Sequence, residues 1–549
     1  MKISLDWLKQ LVEYKLTPQK LAEELSLMSI GVKNQTEDYL ELDLTYNRGD
    51  LLSLRGVARE IVVITGCKLA FSSSSLSDYP SLPKTPIEIE GLELSPIQCV
   101  AKIEGLKVSP SDKEWVKKLA DCGMRSVNNL VDVTNLIMLE FGQPLHAFDQ
   151  DSVKDEAIIV RVAKNKEEII TLDGKIRKLN SEDIVLADTQ KPLDVAGVMG
   201  GKDTEVKEST TTILLSASMF NPVMVRKTSK RLGLASEASK RFQHGLTKTN
   251  LLQAFAAAIK MYESLGGKLT AINLVGDLED TPKSINLTKK KVVELLGLEI
   301  SSDFIISSLQ KLQFKVTSKG GDEWEVIPPY FRLDIALEED LIEDVARIYG
   351  YDKIDGQPLK EVTAQKLDQS FYEFIYNLKL GLKNAGLTEV QTYSFYSTAV
   401  LNALDTDKQK LVKVANPISA ETEYLRMNLW PNLVEVTGRN LRNGFSDVAI
   451  FEIGKSYQTD QEGNPQEEYR LAIALCNDSD NPLEELISMP KSLGLDFILK
   501  DAPLLGISGE LFHPKRFIGG LAEVHLRVLN KFGIERRVAI LEISLPLKP

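Results

Sequence analysis

The chain has 549 residues, of which 43% are hydrophobic and 26% charged, and its formal net charge is −12. This length suggests about three to four domains with ample core, and the acidic balance excludes a protein that binds nucleic acid through its overall charge. The sequence contains no apolar run of the ~18 residues that a membrane span needs. Its four cysteines lack the spacing of a zinc site or a disulfide framework, which favours a cytoplasmic protein.

The first predicted domain, residues 1–71, combines short helices with strands. Residues 4–13 repeat leucine at helical spacing, and Thr17-Pro18 is typical of a capped helix start. Ser53 is placed to cap a third helix that runs to Gly66. A linker rich in serine and proline is expected at residues 72–86.

The second predicted domain, residues 86–275, is rich in strands and contains a histidine near a helix end. Residues 157–216 carry strand patterns with Asp173-Gly174 as a hairpin turn, and AGVMGG follows at 196–201. Glycines there would let backbone N–H groups approach a ligand, although such a cluster is also what a simple turn needs. His146 lies in a turn, where a lone histidine is more often structural than catalytic.

The third predicted domain, residues 284–354, reads helix, helix, strand, strand, helix. Trp324 begins a short strand that Pro328-Pro329 stops, and from about Ala336 the apolar spacing becomes helical up to Gly350. A polar connection, residues 355–368, is expected to lead into the last domain.

Four acids concentrate at the start of that last helix. Asp340, Glu343 and Asp344 stand at i, i+3 and i+4, so they share one helix face, and Asp334 precedes them. A divalent cation such as Mg²⁺ would relieve their repulsion. The alternative is a solvated acidic helix start, favoured by the helix dipole, in which Glu343 pairs with Arg347.

A local basic run contrasts with the acidic chain. A solvated face and a strip that contacts RNA phosphates both explain such a run. Its basic residues stand against a single acid, Glu237, and are Arg226, Lys227, Lys230, Arg231, Lys240, Arg241 and Lys248.

Two stretches carry a family resemblance. One begins at Arg332 and reads RLDIALEEDLIEDVARIYGYDKI, and the other begins at Asn128 and reads NNLVDVTNLIMLEFGQPLHAFD. Both resemble the β subunit of bacterial-type phenylalanyl-tRNA synthetase. The resemblance implies one Mg²⁺ site per β subunit, at the contact with the α subunit. The acids that match the family's metal site are Asp334, Asp340, Glu343 and Asp344.

The resemblance also implies an editing site that hydrolyses tyrosine wrongly esterified to the phenylalanine tRNA. An apolar pocket cannot strongly reject an isostere that adds one hydroxyl, so a second site is needed. His146 and Asn135 would orient the attacking water and the ester, and Arg125 would contact the tRNA end. The carried-over site residues are Arg125, Thr134, Asn135, His146, Gly200, Ser236 and Ala238.

Two segments depart from the family pattern. Ser216 stands where the family usually has a glutamate that is thought to bind the tyrosine hydroxyl, and serine is shorter and uncharged. The family run Arg-Phe-Glu-Arg-Gly reads RFQHG here, from Arg241. The sequence therefore predicts weak tyrosyl-ester hydrolysis, with Ser216 in the pocket.

The last predicted domain, residues 368–549, resembles a class II synthetase core without its chemistry. A convincing third motif of that class is missing, and Arg426, which could mimic the second motif, fits a core-edge arginine better. Activation of phenylalanine with ATP is therefore expected on the α subunit. The interval from Gly31 to Leu40 is too short for the oligonucleotide-fold tRNA-binding module, and the C-terminal anticodon-binding domain is also expected to be missing.

The sequence as a whole predicts an α+β multidomain protein with an editing domain, a winged-helix-like domain and a non-catalytic antiparallel sheet domain. The resemblance implies a cytoplasmic ligase subunit in an α₂β₂ heterotetramer that binds tRNA and uses ATP and Mg²⁺ in protein biosynthesis, without membrane or DNA partners. Two alternatives remain: a free-standing deacylase of mischarged tRNA, and a scaffold subunit with a decayed editing pocket.

Overall fold

The computed structural model describes residues 1–71, 75–79, 82–356, 368–404, 406–478, 481–492, 498–501, 508–513 and 516–545. The chain divides into two compact units, Met1–Pro358 and Leu359–Pro549. The predicted linker at 72–86 lies partly outside the described residues, and the polar connection at 355–368 lies largely outside them. None of the described helices is long and apolar enough to cross a membrane.

The N-terminal part of the first unit is a small antiparallel sheet, of strand order β1-β3-β2, packed on three helices. The predicted caps are confirmed: Thr17 accepts from the N–H of Lys20, and Ser53 accepts from that of Gly56. The interval thought too short for an extra module is a β2-β3 hairpin. The elements are β1 (Lys2–Ser4), α1 (Leu5–Leu11), α2 (Pro18–Leu27), β2 (Gly31–Gln35), β3 (Tyr39–Asp43) and α3 (Leu54–Thr65).

Two larger sheets follow, one of order β12-β11-β10-β7-β4 and one of order β14-β5-β13-β6, with a β8-β9 hairpin beside them. Their elements are β4 (Ile87–Ile89), β5 (Ile97–Glu104), α4 (Lys113–Asp121), α5 (Asn129–Phe141), β6 (Leu145–Asp149), β7 (Ile158–Val162), β8 (Glu168–Ile170), β9 (Ile176–Lys178), β10 (Ile184–Ala187), β11 (Pro192–Val195), β12 (Met199–Gly200), β13 (Ile213–Ser218), α6 (Pro222–Leu232), α7 (Glu237–His244), α8 (Lys248–Ser264) and β14 (Lys268–Gly276).

Alternation along β13 explains how these two sheets pack. Leu215 and Ala217 face the core formed with α5 and α8, whereas Leu214 faces the core shared with the five-stranded sheet. Because side chains two residues apart lie on the same face, Ser216 and Ser218 also face the five-stranded sheet. The polar residues of β13 are therefore directed between the two sheets.

Helix α5 has a capping residue at each end. Helix α5 begins after Asn128, which accepts from two backbone N–H groups, and ends at Gly142, whose φ of 76° is left-handed. The Asp173-Gly174 hairpin is confirmed by the pairing of β8 with β9. Helix α4 is capped by Asp112, which accepts from the N–H of Trp115.

The last part of the first unit has one strand more than predicted, since β15 precedes the two helices and pairs with β17. The sheet order is β15-β17-β16. The C-cap of α11 at Gly350 is confirmed. The elements are β15 (Ile285–Thr288), α9 (Lys289–Leu296), α10 (Ser302–Lys311), β16 (Lys315–Gly320), β17 (Glu323–Ile327) and α11 (Glu338–Tyr349).

In the second unit, the described strands form one sheet of order β18-β19-β20-β24-β23-β22-β21, antiparallel except for the parallel β18-β19 pair. Both faces are covered: Ile450 and Ala472 belong to one core, and Phe451 and Ile473 to the other. The elements are α12 (Ser370–Asn384), β18 (Thr388–Glu389), α13 (Thr398–Leu404), α14 (Trp430–Arg442), β19 (Val448–Thr459), β20 (Pro465–Cys476), α15 (Pro482–Ser492), β21 (Ile498–Asp501), β22 (Ser508–His513), β23 (Arg516–Glu523), α16 (Leu526–Lys531) and β24 (Ala539–Ser544).

The predicted α+β multidomain class is thus confirmed, with helices and mainly antiparallel sheets segregated into several layers. The four predicted domain ranges stay predictions. The observed two-unit division falls within the predicted connection at 355–368.

Candidate functional site

A cavity of about 80 Å³, open to solvent on one side, lies between the two large sheets of the first unit. Strands β10, β11 and β12 supply one wall, strands β6 and β13 supply the other, and α7 closes one side. The walls are largely apolar. The lining residues are Pro144, Leu145, His146, Leu186, Asp194, Val195, Gly197, Val198, Met199, Gly200, Ser216, Ser218, Phe220, Ala238 and Phe242.

The structure brings together four of the predicted site residues, since His146, Gly200, Ser216 and Ala238 all line this cavity. His146 and Ser216 are direct cross-strand neighbours in the β6-β13 pair. Such neighbours place their side chains on the same sheet face about 5 Å apart. The four residues come from separate strands and a helix, so only the packing of the two sheets joins them.

His146 is held in the cavity by close packing. Its ring meets that of Phe148 edge-on, with centroids 4.4 Å apart. A Cβ atom on Gly200 would stand 2.6 Å from the His146 Cε1 atom, so a residue without a side chain is needed there. Nε2 of His146 is buried and has no hydrogen-bond partner among the described residues. That nitrogen is consequently available to a water molecule or a ligand.

The electrostatics of the histidine favour the neutral ring. Burial lowers the pKa of His146 from 6.5 to about 4, because desolvation disfavours the charged imidazolium. At neutral pH the ring is uncharged, with one nitrogen that donates and one that accepts a hydrogen bond. It can orient a water molecule without attracting an anion.

Asp194 is a second titratable residue on the cavity wall, and the sequence analysis did not single it out. Its side chain is buried, and burial raises the pKa of Asp194 from 3.8 to about 7. The sequence signal for this residue was an aspartate in the middle of the apolar run PLDVAGV. A strand with both faces covered rarely holds a carboxyl group unless that group is paired or functional.

Two serines of the cavity belong to a buried polar chain. The Gln98 side-chain N–H donates to the Ser216 hydroxyl at 2.9 Å, and the Ser218 hydroxyl donates to the Gln98 side-chain carbonyl oxygen, Oε1, at 2.5 Å. Gln98 lies on β5, next to β13 in the same sheet. Ser216 Oγ therefore already accepts one hydrogen bond from the protein, and its own proton remains to be donated.

The structure places the other predicted site residues outside the cavity lining. The Thr134 hydroxyl donates to the carbonyl of Val131 within α5. Asn135 is half-buried on the same helix, and Arg125 is exposed before it. Ser236 is adjacent to the cavity, because it caps α7 and donates to the carbonyl of Val198 at 2.7 Å.

The four acids predicted to bind Mg²⁺ are not gathered around one point. Asp334 and Asp344 are both paired with the buried Arg332, each at 2.8 Å. Asp340 instead accepts from the N–H groups of Ala336 and Leu337 at the start of α11, and Glu343 is exposed. Among the described residues, no group of three or more His, Cys, Asp or Glu side chains is placed to hold a metal ion.

Arginines supply the positive charge in this part of the unit. Arg347 bonds to Asp344 and to Glu60 of α3, each at 2.6 Å, rather than to Glu343 as the solvated-helix alternative required. Arg48 reaches the same Glu60 at 2.6 Å. Burial alone would raise the pKa of Glu60, but the two arginines outweigh it and lower that pKa to about 2. The arrangement as it stands is an arginine–carboxylate network, and the four-acid Mg²⁺ site stays a prediction.

The basic run is less uniform than its sequence suggests. Arg241 is buried, donating to the carbonyl of Leu52 and to Glu237. Lys240 also pairs with Glu237. Further along the chain in both directions, Arg231 pairs with Asp183 and Lys248 with Asp277. Among the described residues, the exposed cations of the run without a carboxylate partner are Arg226, Lys227 and Lys230, all on α6.

In the second unit, Arg426 is committed to internal bonds. It donates to Glu452 and to the Thr392 hydroxyl, each at 2.8 Å, and to the carbonyl of Lys455 at 2.9 Å. Its side chain is 3% exposed. The structure thus favours the core-edge alternative over a nucleotide-binding arginine.

Three family models match the chain. They are the B3/4 domain over residues 95–267, the tRNA synthetase B5 domain over residues 285–351, and the phenylalanyl tRNA synthetase beta chain CLM domain over residues 358–486. The cavity lies within the B3/4 match, and the arginine–carboxylate network joins the B5 match to the N-terminal helices.

Full-length comparisons agree with these matches. The phenylalanine–tRNA ligase beta subunit of Carboxydothermus hydrogenoformans is 36% identical, and that of Protochlamydia amoebophila is 33% identical. Each alignment covers 93% of this chain and 67% of the relative, so the chain spans about two thirds of their length. A solved N-terminal fragment of the phenylalanyl-tRNA synthetase beta subunit from Pyrococcus horikoshii is 19% identical, with a TM-score of 0.36, covering 64% of this chain and 99% of the fragment. From the identity to the full-length relatives, the chain belongs to the family of phenylalanine–tRNA ligase β subunits.

Proposed function

We propose that this chain is the β subunit of an α₂β₂ phenylalanine–tRNA ligase, in which the α subunit activates phenylalanine with ATP and Mg²⁺. The observation that carries the proposal is the identity of 36% to a named β subunit over 93% of this chain. The internal bonding of Arg426 supports an activation site on another chain. The free thiols of the chain suit the reducing cytoplasm, where we place the complex.

The cavity between the two sheets is the proposed editing site. Its apolar walls suit the ring of an aromatic amino acid, and its polar groups suit the ester end and a hydroxyl. The unpartnered Nε2 of His146 would hold the attacking water or the ester, while Gly200 leaves room for both. Hydrolysis then transfers the tyrosyl group from the tRNA 3′ end to water, and the bound water supplies the proton that the tRNA oxygen takes up.

Thr134, Asn135 and Arg125 have a more distant part in this proposal. They lie on or just before α5, outside the cavity lining. The exposed Arg125 is suited to a tRNA phosphate or sugar, because a guanidinium presents several N–H donors in one plane. Ser236 would act through Val198, whose carbonyl it bonds at the cavity edge.

Co-expression with a cognate α chain tests the subunit role. We expect a complex of about twice α plus β in size that charges tRNA with phenylalanine. A β chain that stays alone and leaves α inactive would contradict the proposal. That outcome would favour the alternative of a free-standing deacylase of mischarged tRNA.

Hydrolysis of tyrosyl-tRNA by the complex tests the editing site. His146→Ala should lower the rate by about 100-fold, as expected for losing a group that positions a reactant. His244→Gln is the matched control, because His244 lies outside the cavity, against Tyr46. If His146→Ala leaves the turnover of tyrosyl-tRNA unchanged, this cavity is not the editing site. If the wild-type complex hydrolyses no tyrosyl-tRNA, the scaffold alternative is favoured.

A Mg²⁺ ion bound by Asp334, Asp340, Glu343 and Asp344 remains a separate proposal, resting on the family resemblance. In this structure Arg332 and Arg347 compete with it for Asp344. Calorimetric titration of the chain with MgCl₂ decides between them. Binding that Glu343→Gln and Asp340→Asn abolish would support the ion, whereas the absence of saturable heat would leave the arginines as the counter-charge.

A further inference from the structure

Asp194 lies on the cavity wall opposite His146. In the five-stranded sheet it pairs directly with Leu186 on one side and with Gly200 on the other. Both neighbours line the cavity, and cross-strand neighbours share a sheet face. The His146 ring has room because Gly200 carries no side chain. Since Asp194 pairs directly with Gly200, Asp194 is the cross-strand neighbour of the residue that faces the histidine ring.

The Asp194 carboxyl group has unused hydrogen-bonding capacity. Its Oδ1 atom accepts a long bond of 3.4 Å from the N–H of Leu186. A carboxylate has about four acceptor positions, and among the described residues no charged group acts on Asp194. Burial without a counter-charge is costly, and the raised pKa of Asp194 agrees with that cost. A buried carboxyl group with free acceptor positions is suited to bind a ligand that supplies a hydrogen-bond donor.

The facing polar groups limit what that ligand presents. Ser216 accepts from Gln98, so it has a proton to donate, whereas Asp194 has an acceptor to offer. A phenolic hydroxyl both donates and accepts, so it satisfies both kinds of group at the end of an aromatic ring. A phenyl ring satisfies neither and leaves the buried carboxyl group unpaired.

We propose that Asp194 is a specificity-determining residue of this cavity: its carboxyl group accepts a hydrogen bond from the phenolic hydroxyl of a bound tyrosyl group and so selects tyrosyl over phenylalanyl esters. The inference rests on the proposed editing function and names its substrate-recognition residue. Asp194 contacts the substrate side chain and takes no part in transferring protons at the ester.

The experiment compares hydrolysis of tyrosyl-tRNA and phenylalanyl-tRNA by the complex carrying Asp194→Ala or Asp194→Asn. We expect Asp194→Ala to lower kcat/KM for the tyrosyl ester by about 10- to 100-fold, the range for a hydrogen bond to an ionisable group. Hydrolysis of the phenylalanyl ester should not fall. Asp194→Asn should retain much of the preference, because its amide oxygen still accepts a hydrogen bond at the same position.

Asp203→Ala is the matched control, since Asp203 is exposed in the same region and pairs weakly with Lys191. If Asp194→Ala lowers both esters equally, or neither, the inference is overturned while the editing function stands. If the wild-type complex hydrolyses no ester, binding of non-hydrolysable tyrosyl-adenosine and phenylalanyl-adenosine amides decides. A tyrosyl preference that Asp194→Ala removes supports the inference without catalysis, and equal binding overturns it.

Discussion

At the scale of single residues, the cavity depends on one position where a side chain has no room. A Cβ atom at Gly200 would lie 2.6 Å from Cε1 and 3.1 Å from Nε2 of His146, so the ring would have to move. The contact joins two sheets, so the absence of a side chain at Gly200 leaves the space between them that the His146 ring occupies. A substitution here is therefore a sensitive test of whether His146 needs its observed position.

We expect Gly200→Ala to abolish most tyrosyl-ester hydrolysis, because the methyl group displaces His146. Overpacking at such a site costs about 1–3 kcal/mol of stability, so the chain should still fold. Hydrolysis rates and thermal unfolding should be measured together. Gly356→Ala is the control, since a Cβ atom there meets no atom within 4 Å. Unchanged hydrolysis by Gly200→Ala would show that the ring has freedom to move.

His146 and Asp194 make opposite contributions to stability as pH changes. The pKa of His146 is lowered to about 4, so the unfolded chain binds more protons and stability rises with pH between about 4 and 6.5. The pKa of Asp194 is raised to about 7, so the folded chain binds more protons and stability falls between about 4 and 7. In the wild-type chain the two largely cancel.

Single variants should separate the two slopes. Relative to wild type, Asp194→Asn should gain stability as pH rises from about 4 to 7, and His146→Gln should lose it from about 4 to 6.5, by at most about 1.4 kcal/mol per pH unit. Urea midpoints measured across this range are the test. Parallel curves for wild type and both variants would mean that neither group titrates with the shifted pKa.

At the scale of elements, buried ion pairs fix α11 against α3. Arg347 spans the two helices by bonding Asp344 and Glu60, and Arg48 adds a second cation on Glu60. Burial makes these charges costly unless each is paired. Of the three acids that sequence spacing placed on one helix face, Asp344 thus serves the packing of the last part of the first unit on its N-terminal helices.

Arg347→Met should destabilise the first unit by about 3–5 kcal/mol, because it leaves Glu60 and Asp344 buried with less counter-charge. Thermal unfolding and limited proteolysis between residues 284 and 354 should both report the loss. Arg226→Met is the control, since Arg226 is an exposed arginine of α6. Equal losses of stability in Arg347→Met and Arg226→Met would show that the buried network does not stabilise the first unit more than an exposed arginine does. Addition of Glu60→Gln should partly restore stability.

At the scale of the whole molecule, the net charge of −12 conceals a small exposed basic strip on α6. Arg226, Lys227 and Lys230 form the strip, and the other cations of the basic run are buried or paired. The strip follows β13, which lines the cavity, and precedes α7, which closes it. That position suits contact with the phosphates near an esterified tRNA end.

Replacing Arg226, Lys227 and Lys230 with glutamine should weaken tRNA binding and flatten its salt dependence. Each lost phosphate contact removes about 0.7–0.9 from the slope of log K against log salt concentration. Binding should be measured at several salt concentrations. Lys289, Lys290 and Lys311 provide a control set of lysines elsewhere in the first unit. If the α6 substitutions leave the salt slope unchanged, the strip is a solvated face that does not contact tRNA phosphates.

Sequence patterns alone determined the helix caps, the hairpin and the α+β class, because those depend on neighbouring residues. Thr17, Ser53 and Gly350 mark helix ends through local hydrogen bonds and backbone geometry. The family resemblance singled out His146, Gly200 and Ser216, which the structure places in one cavity.

Only the tertiary structure decided which charges are free and which are paired. Spacing put Asp340, Glu343 and Asp344 on one helix face, but Arg332, which lies outside that helix, pairs with Asp344. Asp194 was passed over because its apolar neighbours indicate a buried strand but do not reveal that a second sheet closes over its carboxyl group. Burial, pairing and the pKa shifts that follow arise from segments far apart in the chain, so they appear only when the sheets and helices have packed.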